Sequence, residues 1–196
     1  MKTFFIALLG AIFGAAGFII YNNSTHNPFL DYYTTENAVA VSPHDLRMEM
    51  DKGLNNTIIV DLRTHEEYKM EHIRGAINIP GVENSDKDSK MQRERIISEF
   101  KKLPKDKRII IHCYTHYCML AKHVGLMLAE EGIQVHELNI GWNEWRNEWD
   151  LWNGEGTSKN IDISTYLEGS NVQYIKQNQS GSIDIKPCTK DGLTGC

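Results

Sequence analysis

The reactive side chains of this sequence are its sulfurs. There are four cysteines, Cys113, Cys118, Cys188 and Cys196. Cys113 directly follows RIIIH (Arg108 to His112), the most apolar strand-like run, and precedes a helical pattern from about Met119 to Glu131. A thiol at such a junction faces the backbone N–H groups of its own loop and the positive end of the next helix. Both stabilise an anion, so they lower the thiol pKa and make the sulfur nucleophilic. The same surroundings would hold a persulfide. The plainer reading of a strand-end cysteine is a buried structural residue. Cys118 adds a second possibility, closing on Cys113 as a disulfide or resolving a persulfide or sulfenate there. Its plainer reading is a small apolar residue that starts a helix. Four cysteines allow three pairings, of which the local ones, Cys113 with Cys118 and Cys188 with Cys196, are simplest.

The elements that must position Cys113 can be read from periodicity and punctuation. AVAV (Ala38 to Val41) is a short strand candidate. Ser42 and Pro43 are an N-cap and first-turn pair for a helix to about Lys52, with Leu46 and Met50 four apart. TIIVDL (Thr57 to Leu62) is a nearly continuous apolar strand, the pattern of a strand covered on both faces. Thr64 and Glu67 have capping-box spacing and open a short helix. AINI (Ala76 to Ile79) is a strand, and Met91 to Leu103 is an amphipathic helix with Ile96, Ile97 and Phe100 on one face. QVHEL (Gln134 to Leu138) is the last strand, before a Trp-rich helix from about Trp142 to Trp152. Strands alternating with helices imply an α/β domain whose central, mostly parallel sheet carries helices on both faces. Sites in such sheets lie at the carboxyl ends of strands, where Cys113 stands.

The stretch VDLRTHEEYKMEHIRGAINIP, Val60 to Pro80, resembles the signature that precedes the active cysteine in the rhodanese family. Asp61, Arg63, Glu67, Tyr68, His72, Ile73, Gly75, Ala76, Asn78 and Pro80 fall where that family's pattern has them. Downstream, Leu128, Gly132, VHEL and the run from Gly141 to Trp145 are similar to its closing segment. The resemblance covers roughly Ala38 to Asn153. It implies a rhodanese-like fold in which Cys113 begins the active loop, takes a sulfane sulfur from a donor such as thiosulfate or a persulfide, and passes it to a thiol acceptor or partner protein. It implies covalent, two-step catalysis without a metal or organic cofactor.

The loop departs from the family pattern. It reads Cys113, Tyr114, Thr115, His116, Tyr117, Cys118, Met119 and contains no Arg or Lys. Cys118 stands about where the family has a basic residue that binds an anionic donor. A phosphatase of the same fold needs Cys-x5-Arg, and Met119 occupies that arginine's place. Two further readings stay open: a thiol–disulfide redox protein using Cys113 and Cys118, and a non-catalytic rhodanese-fold binding module. Asp61 and Arg63 follow a buried strand, where they orient the active loop or form a plain ion pair. His72 reads as a packed histidine, because no second ligand lies at zinc spacing. Trp142 and Trp145 read as core, while Trp149 and Trp152 are left to cover the tail or meet a membrane surface.

The ends of the chain differ from its middle. Phe4 to Ile20 carries no charged residue, and a helix of that length spans about 26 Å, close to a bilayer's hydrocarbon core. Phe18, Ile19 and Ile20 continue the apolar run past Ala15 to Gly17, which favours an uncleaved transmembrane anchor over a cleaved signal segment. Lys2 precedes the run, and Asp31 and Glu36 follow it with no Lys or Arg between, so charge bias puts the domain outside the cytoplasm. The expected organisation is an anchor over 1–21, a linker over 22–37, the rhodanese-like domain over 38–153 and an irregular extension over 154–196. A net charge of -5 without a basic run argues against a nucleic-acid partner.

Overall fold

The computed structural model describes residues 27–82, 89–153 and 162–172. The anchor expected over 1–21 lies outside them. Among the described residues no helix is long and apolar enough to cross a membrane. The chain divides into a unit up to Ala38 and a second from Val39.

In the first unit, part of the expected linker is instead helical, α1 (Pro28–Val39), with no buried residue. Its start is set by Asn27, whose Oδ1 accepts from the N–H groups of Phe29 and Leu30 at 3.1 and 3.2 Å. Pro28 then occupies the first turn, where its missing N–H costs nothing. A helix without an apolar stripe has no periodicity to betray it.

The second unit is built on a five-stranded parallel sheet in the order β1-β6-β5-β2-β4. Its strands are β1 (Ala40–Val41), β2 (Thr57–Asp61), β4 (Ala76–Asn78), β5 (Arg108–His112) and β6 (His136–Leu138). β2 and β5 lie inside the sheet and pair along their whole length, from Thr57 opposite Arg108 to Asp61 opposite His112. Their continuous apolar sequence follows, because side chains alternate between two covered faces. Ile59 and Ile110 enter one apolar layer with Leu46, Met50, Trp142 and Trp145. Val60, Ile109, Ile111 and Cys113 enter the other, with Ile96, Phe100, Val124 and Leu128.

Helices close both layers. They are α2 (Pro43–Asp51), α3 (His65–Met70), α4 (Ser89–Lys101) and α5 (Met119–Glu130). α3 carries the full capping box of Thr64 and Glu67. α5 ends before Gly132, whose φ of 72° only glycine adopts without strain. The Trp-rich segment is two helices, α6 (Trp142–Asn147) and α7 (Trp149–Trp152), because the backbone leaves helical geometry at Glu148.

The extension expected to be irregular is ordered over 162–172. Asp162 caps a 3-10 turn at Ile163–Tyr166, accepting from the Ser164 N–H at 2.9 Å. β7 (Leu167–Glu168) follows and pairs antiparallel with β3 (His72–Ile73), a strand too short for the sequence to signal. Tyr166, Leu167 and Val172 are buried in the Trp layer, and Trp149 stacks on Tyr166 with ring centroids 5.1 Å apart. Trp149 therefore covers the tail. Gly169 passes so close to the end of α3 that a Cβ there would lie 2.4 Å from the Met70 carbonyl oxygen.

Candidate active site

Strand alternation decides which way each residue at the end of β5 points. Cys113 continues the face of Ile109 and Ile111 and is 2% exposed. His112 points the opposite way, into the protein beside Asp61. The chain then turns through Tyr114 to Tyr117 and enters α5 with Cys118 at its N-cap. Cys113 and Cys118 are joined as a disulfide, with Cα atoms 6.4 Å apart.

The loop is held from two sides. On the α6 side, the Trp142 N–H donates to the Cys113 carbonyl and the Asn143 N–H to the Tyr114 carbonyl, both at 2.9 Å. Glu144 joins the two segments, accepting from the His116 N–H at 3.1 Å and the Gly141 N–H at 2.9 Å. His116 Nδ1 lies 2.7 Å from the Asn139 carbonyl oxygen, which fixes that nitrogen as the donor. Gly141 must be glycine, since a Cβ there would lie 2.2 Å from the Thr115 nitrogen. On the α3 side, the Tyr114 hydroxyl donates to Glu67 Oε2 at 2.7 Å. The same oxygen accepts from the N–H and hydroxyl of Thr64. Burial opposes ionisation of Glu67, but these hydrogen bonds outweigh it and lower its pKa. Burial and Glu67 together push the Tyr114 phenol up to about 12, so it remains a donor.

Asp61 and Arg63 form a buried ion pair at 2.6 Å. Arg63 also donates to the Glu71 carbonyl at 2.8 Å and lies over the Trp142 ring, 4.2 Å from its centroid. It thereby lies against Trp142, whose backbone N–H holds the loop. Asp61 Oδ2 lies 3.7 Å from His112 Nε2. Burial is the largest influence on Asp61 and opposes its charge, yet His112 and Arg63 together lower its pKa. Burial dominates at His112 and lowers its pKa, against the pull of Asp61. His72 is packed, stacked on Tyr68 with ring centroids 3.7 Å apart and Nδ1 2.6 Å from the Tyr68 carbonyl oxygen.

The family model for the rhodanese-like domain matches residues 42–148, more than half of the chain. The chain belongs to the rhodanese-like domain family. It is similar to an HTH-type transcriptional regulator of Mycobacterium tuberculosis, 35% identical over 88 residues, 45% of this chain and 34% of that protein. It is similar to a tRNA sulfurtransferase of Desulfurococcus amylolyticus, 28% identical over 102 residues, 50% of this chain and 17% of that protein. The chain thus spans about a third or less of these curated relatives. Among solved structures, a protein from Bacillus halodurans is 31% identical with a TM-score of 0.52, over 74% of this chain and 88% of that one.

Within this rhodanese-like frame, Cys113 to Cys118 form one loop at the carboxyl end of β5 and Met119 opens α5, while Arg63, paired with Asp61, lies against Trp142. Sequence reasoning missed the second role of Glu67, the clamp by Glu144 and the buried His112. One signal was available for Glu144: it stands three residues after Gly141, the spacing of an N-cap and its reciprocal glutamate.

Proposed function

We propose that this chain moves sulfane sulfur through a persulfide on Cys113. The carrying observation is Cys113 itself, at the carboxyl end of a central parallel strand, opening a loop that leads into a helix. Family membership and the tRNA sulfurtransferase likeness support the same reading. The Cys113 thiolate attacks the donor's outer sulfur; a new S–S bond forms, the donor's S–S bond breaks, and the remainder leaves with the electron pair. An acceptor thiolate then attacks the outer sulfur of the persulfide and releases the Cys113 thiolate. The test is intact mass of the reduced full chain after thiosulfate or an organic persulfide. One added sulfur that is absent in Cys113→Ser supports the reading; no added sulfur with both thiols free sinks it.

The Cys113–Cys118 disulfide favours a second reading, thiol–disulfide exchange. The two chemistries meet if the Cys118 thiolate attacks the inner sulfur of the Cys113 persulfide. That step forms the disulfide and releases hydrosulfide, and an external dithiol must then reduce the pair. Cys118→Ser separates them: sulfur loading survives it, whereas exchange and hydrosulfide release do not.

The apolar run from Phe4 to Ile20 supports a membrane-tethered protein with its domain on the extracytoplasmic side. Protease accessibility of the domain in intact cells, compared with lysed cells, tests the orientation.

A further inference from the structure

The loop that opens at Cys113 is held by two carboxylates and contains no Lys or Arg. Glu67 meets the loop at Tyr114, the residue next to Cys113, and Glu144 meets it at His116. Neither carboxylate has a salt bridge among the described residues; the Arg63 charge, paired with Asp61, acts on Glu67 only from a distance, and Glu71 pairs with Arg146. Arg63 is fully engaged beneath the loop, in contact with Asp61, the Glu71 carbonyl and the Trp142 ring. The loop's one basic side chain is His116, whose Nδ1 is taken by the Asn139 carbonyl. Two of the loop's N–H groups, the usual cradle for an anion, are also occupied: His116 donates to Glu144 and Cys118 to the Thr115 carbonyl. The outward residues are apolar in bulk, with Tyr117 86% exposed and Met119 54% exposed.

Resting on the persulfide reading above, we infer that Cys113 takes its sulfur from an organic persulfide of low charge and that Glu67 and Glu144 select against oxyanion donors. A dianion such as thiosulfate meets two carboxylates at a loop that has no Lys or Arg of its own. An organic persulfide carries at most one charge on its sulfur, and its carbon part has Tyr117 and Met119 to lie against. The transfer balances without a further reactant. The Cys113 thiolate attacks the outer sulfur of R–S–SH, the S–S bond breaks, R–S leaves as the thiolate, and the outer sulfur with its proton stays on Cys113.

The test uses the reduced full chain and two donors, thiosulfate and the persulfide of 2-mercaptoethanol, which carries no other charge. Sulfur loading is followed by quenched intact mass. The persulfide loads the wild type faster, and thiosulfate loading accelerates as salt is raised from about 0.01 to 0.2 M, because salt screens the repulsion. Glu67→Gln keeps an acceptor for Tyr114 and Thr64 while removing the charge. It narrows the persulfide-to-thiosulfate rate ratio by about threefold to tenfold, the scale of one charge acting across a hydrated site. Glu144→Gln narrows it in the same direction. Equal loading of the wild type by both donors, or a ratio insensitive to salt and to both substitutions, overturns the inference while leaving sulfur transfer intact. Loading by neither donor removes the sulfur-transfer reading and this inference with it.

Discussion

Asp61 and His112 stand opposite each other at the last rung of β2 and β5, with Asp61 Oδ2 3.7 Å from His112 Nε2 inside the protein. Burial keeps His112 neutral in the fold by lowering its pKa from the ordinary 6.5. The unfolded chain binds a proton at this histidine below about pH 6.5, and the folded chain binds it only at lower pH. Stability is therefore full above that pH and falls as pH drops, by at most about 1.4 kcal/mol per pH unit. Asp61, whose pKa is lowered from 3.8, adds its own loss as pH falls further, through its folded pKa. His112→Gln should flatten the stability profile below about pH 6.5. Urea midpoints across that range test it, and an unchanged slope contradicts it.

Asp61→Asn should be severe. It leaves the Arg63 guanidinium buried at 3% exposure without its counter-charge. Removing one partner of such a pair costs about 3–5 kcal/mol. Equilibrium denaturation measures the loss; a cost below about 1 kcal/mol, typical of an exposed pair, would mean that water reaches the pair.

Gly141→Ala should disturb the loop more than the fold. The new methyl would overlap the Thr115 backbone, so the loop must move. Overpacking of this kind costs about 1–3 kcal/mol. The expected result is a folded chain whose Cys113 loads sulfur slowly and whose Cys113–Cys118 disulfide forms slowly. Normal rates for both would show that the loop tolerates displacement.

Tyr114→Phe should weaken the tie between the loop and α3. The lost hydrogen bond to Glu67 contributes about 1 kcal/mol. In a double-mutant cycle with Glu67→Ala, the two losses should not add, because each removes the same interaction. Strict additivity would mean that the two side chains act independently.

A chain ended after Asn153 should be destabilised although it keeps every residue of the family match. It lacks Tyr166, Leu167 and Val172, which cover Trp149 and Ile73. Trp fluorescence should shift to the red and the urea midpoint should fall. An unchanged midpoint would make 162–172 dispensable to the core.

Much of the frame was legible because its signals are local. β2 and β5 read as continuous apolar runs, being covered on both faces. The α3 capping box was legible from Thr64 and Glu67, three residues apart. β3 and β7 were not, because two-residue strands carry no periodicity, and their pairing joins positions nearly a hundred residues apart. α1 was missed because it buries nothing, so no apolar stripe marks it.

Residue types and short spacings settle the family frame, the strand that ends at Cys113, the absence of Lys and Arg from its loop, and the nearness of Cys118 in the chain. These depend on residue type and short spacing, which local sterics and burial translate directly into structure. It takes the packed fold to bring Glu67 to Tyr114 and to let Glu144 hold His116 to Gly141. The same packing lays Arg63 over the Trp142 ring. Those contacts join α3, α6 and the end of β5, elements far apart along the chain. They exist because packing against one parallel sheet brings these elements together at its carboxyl edge.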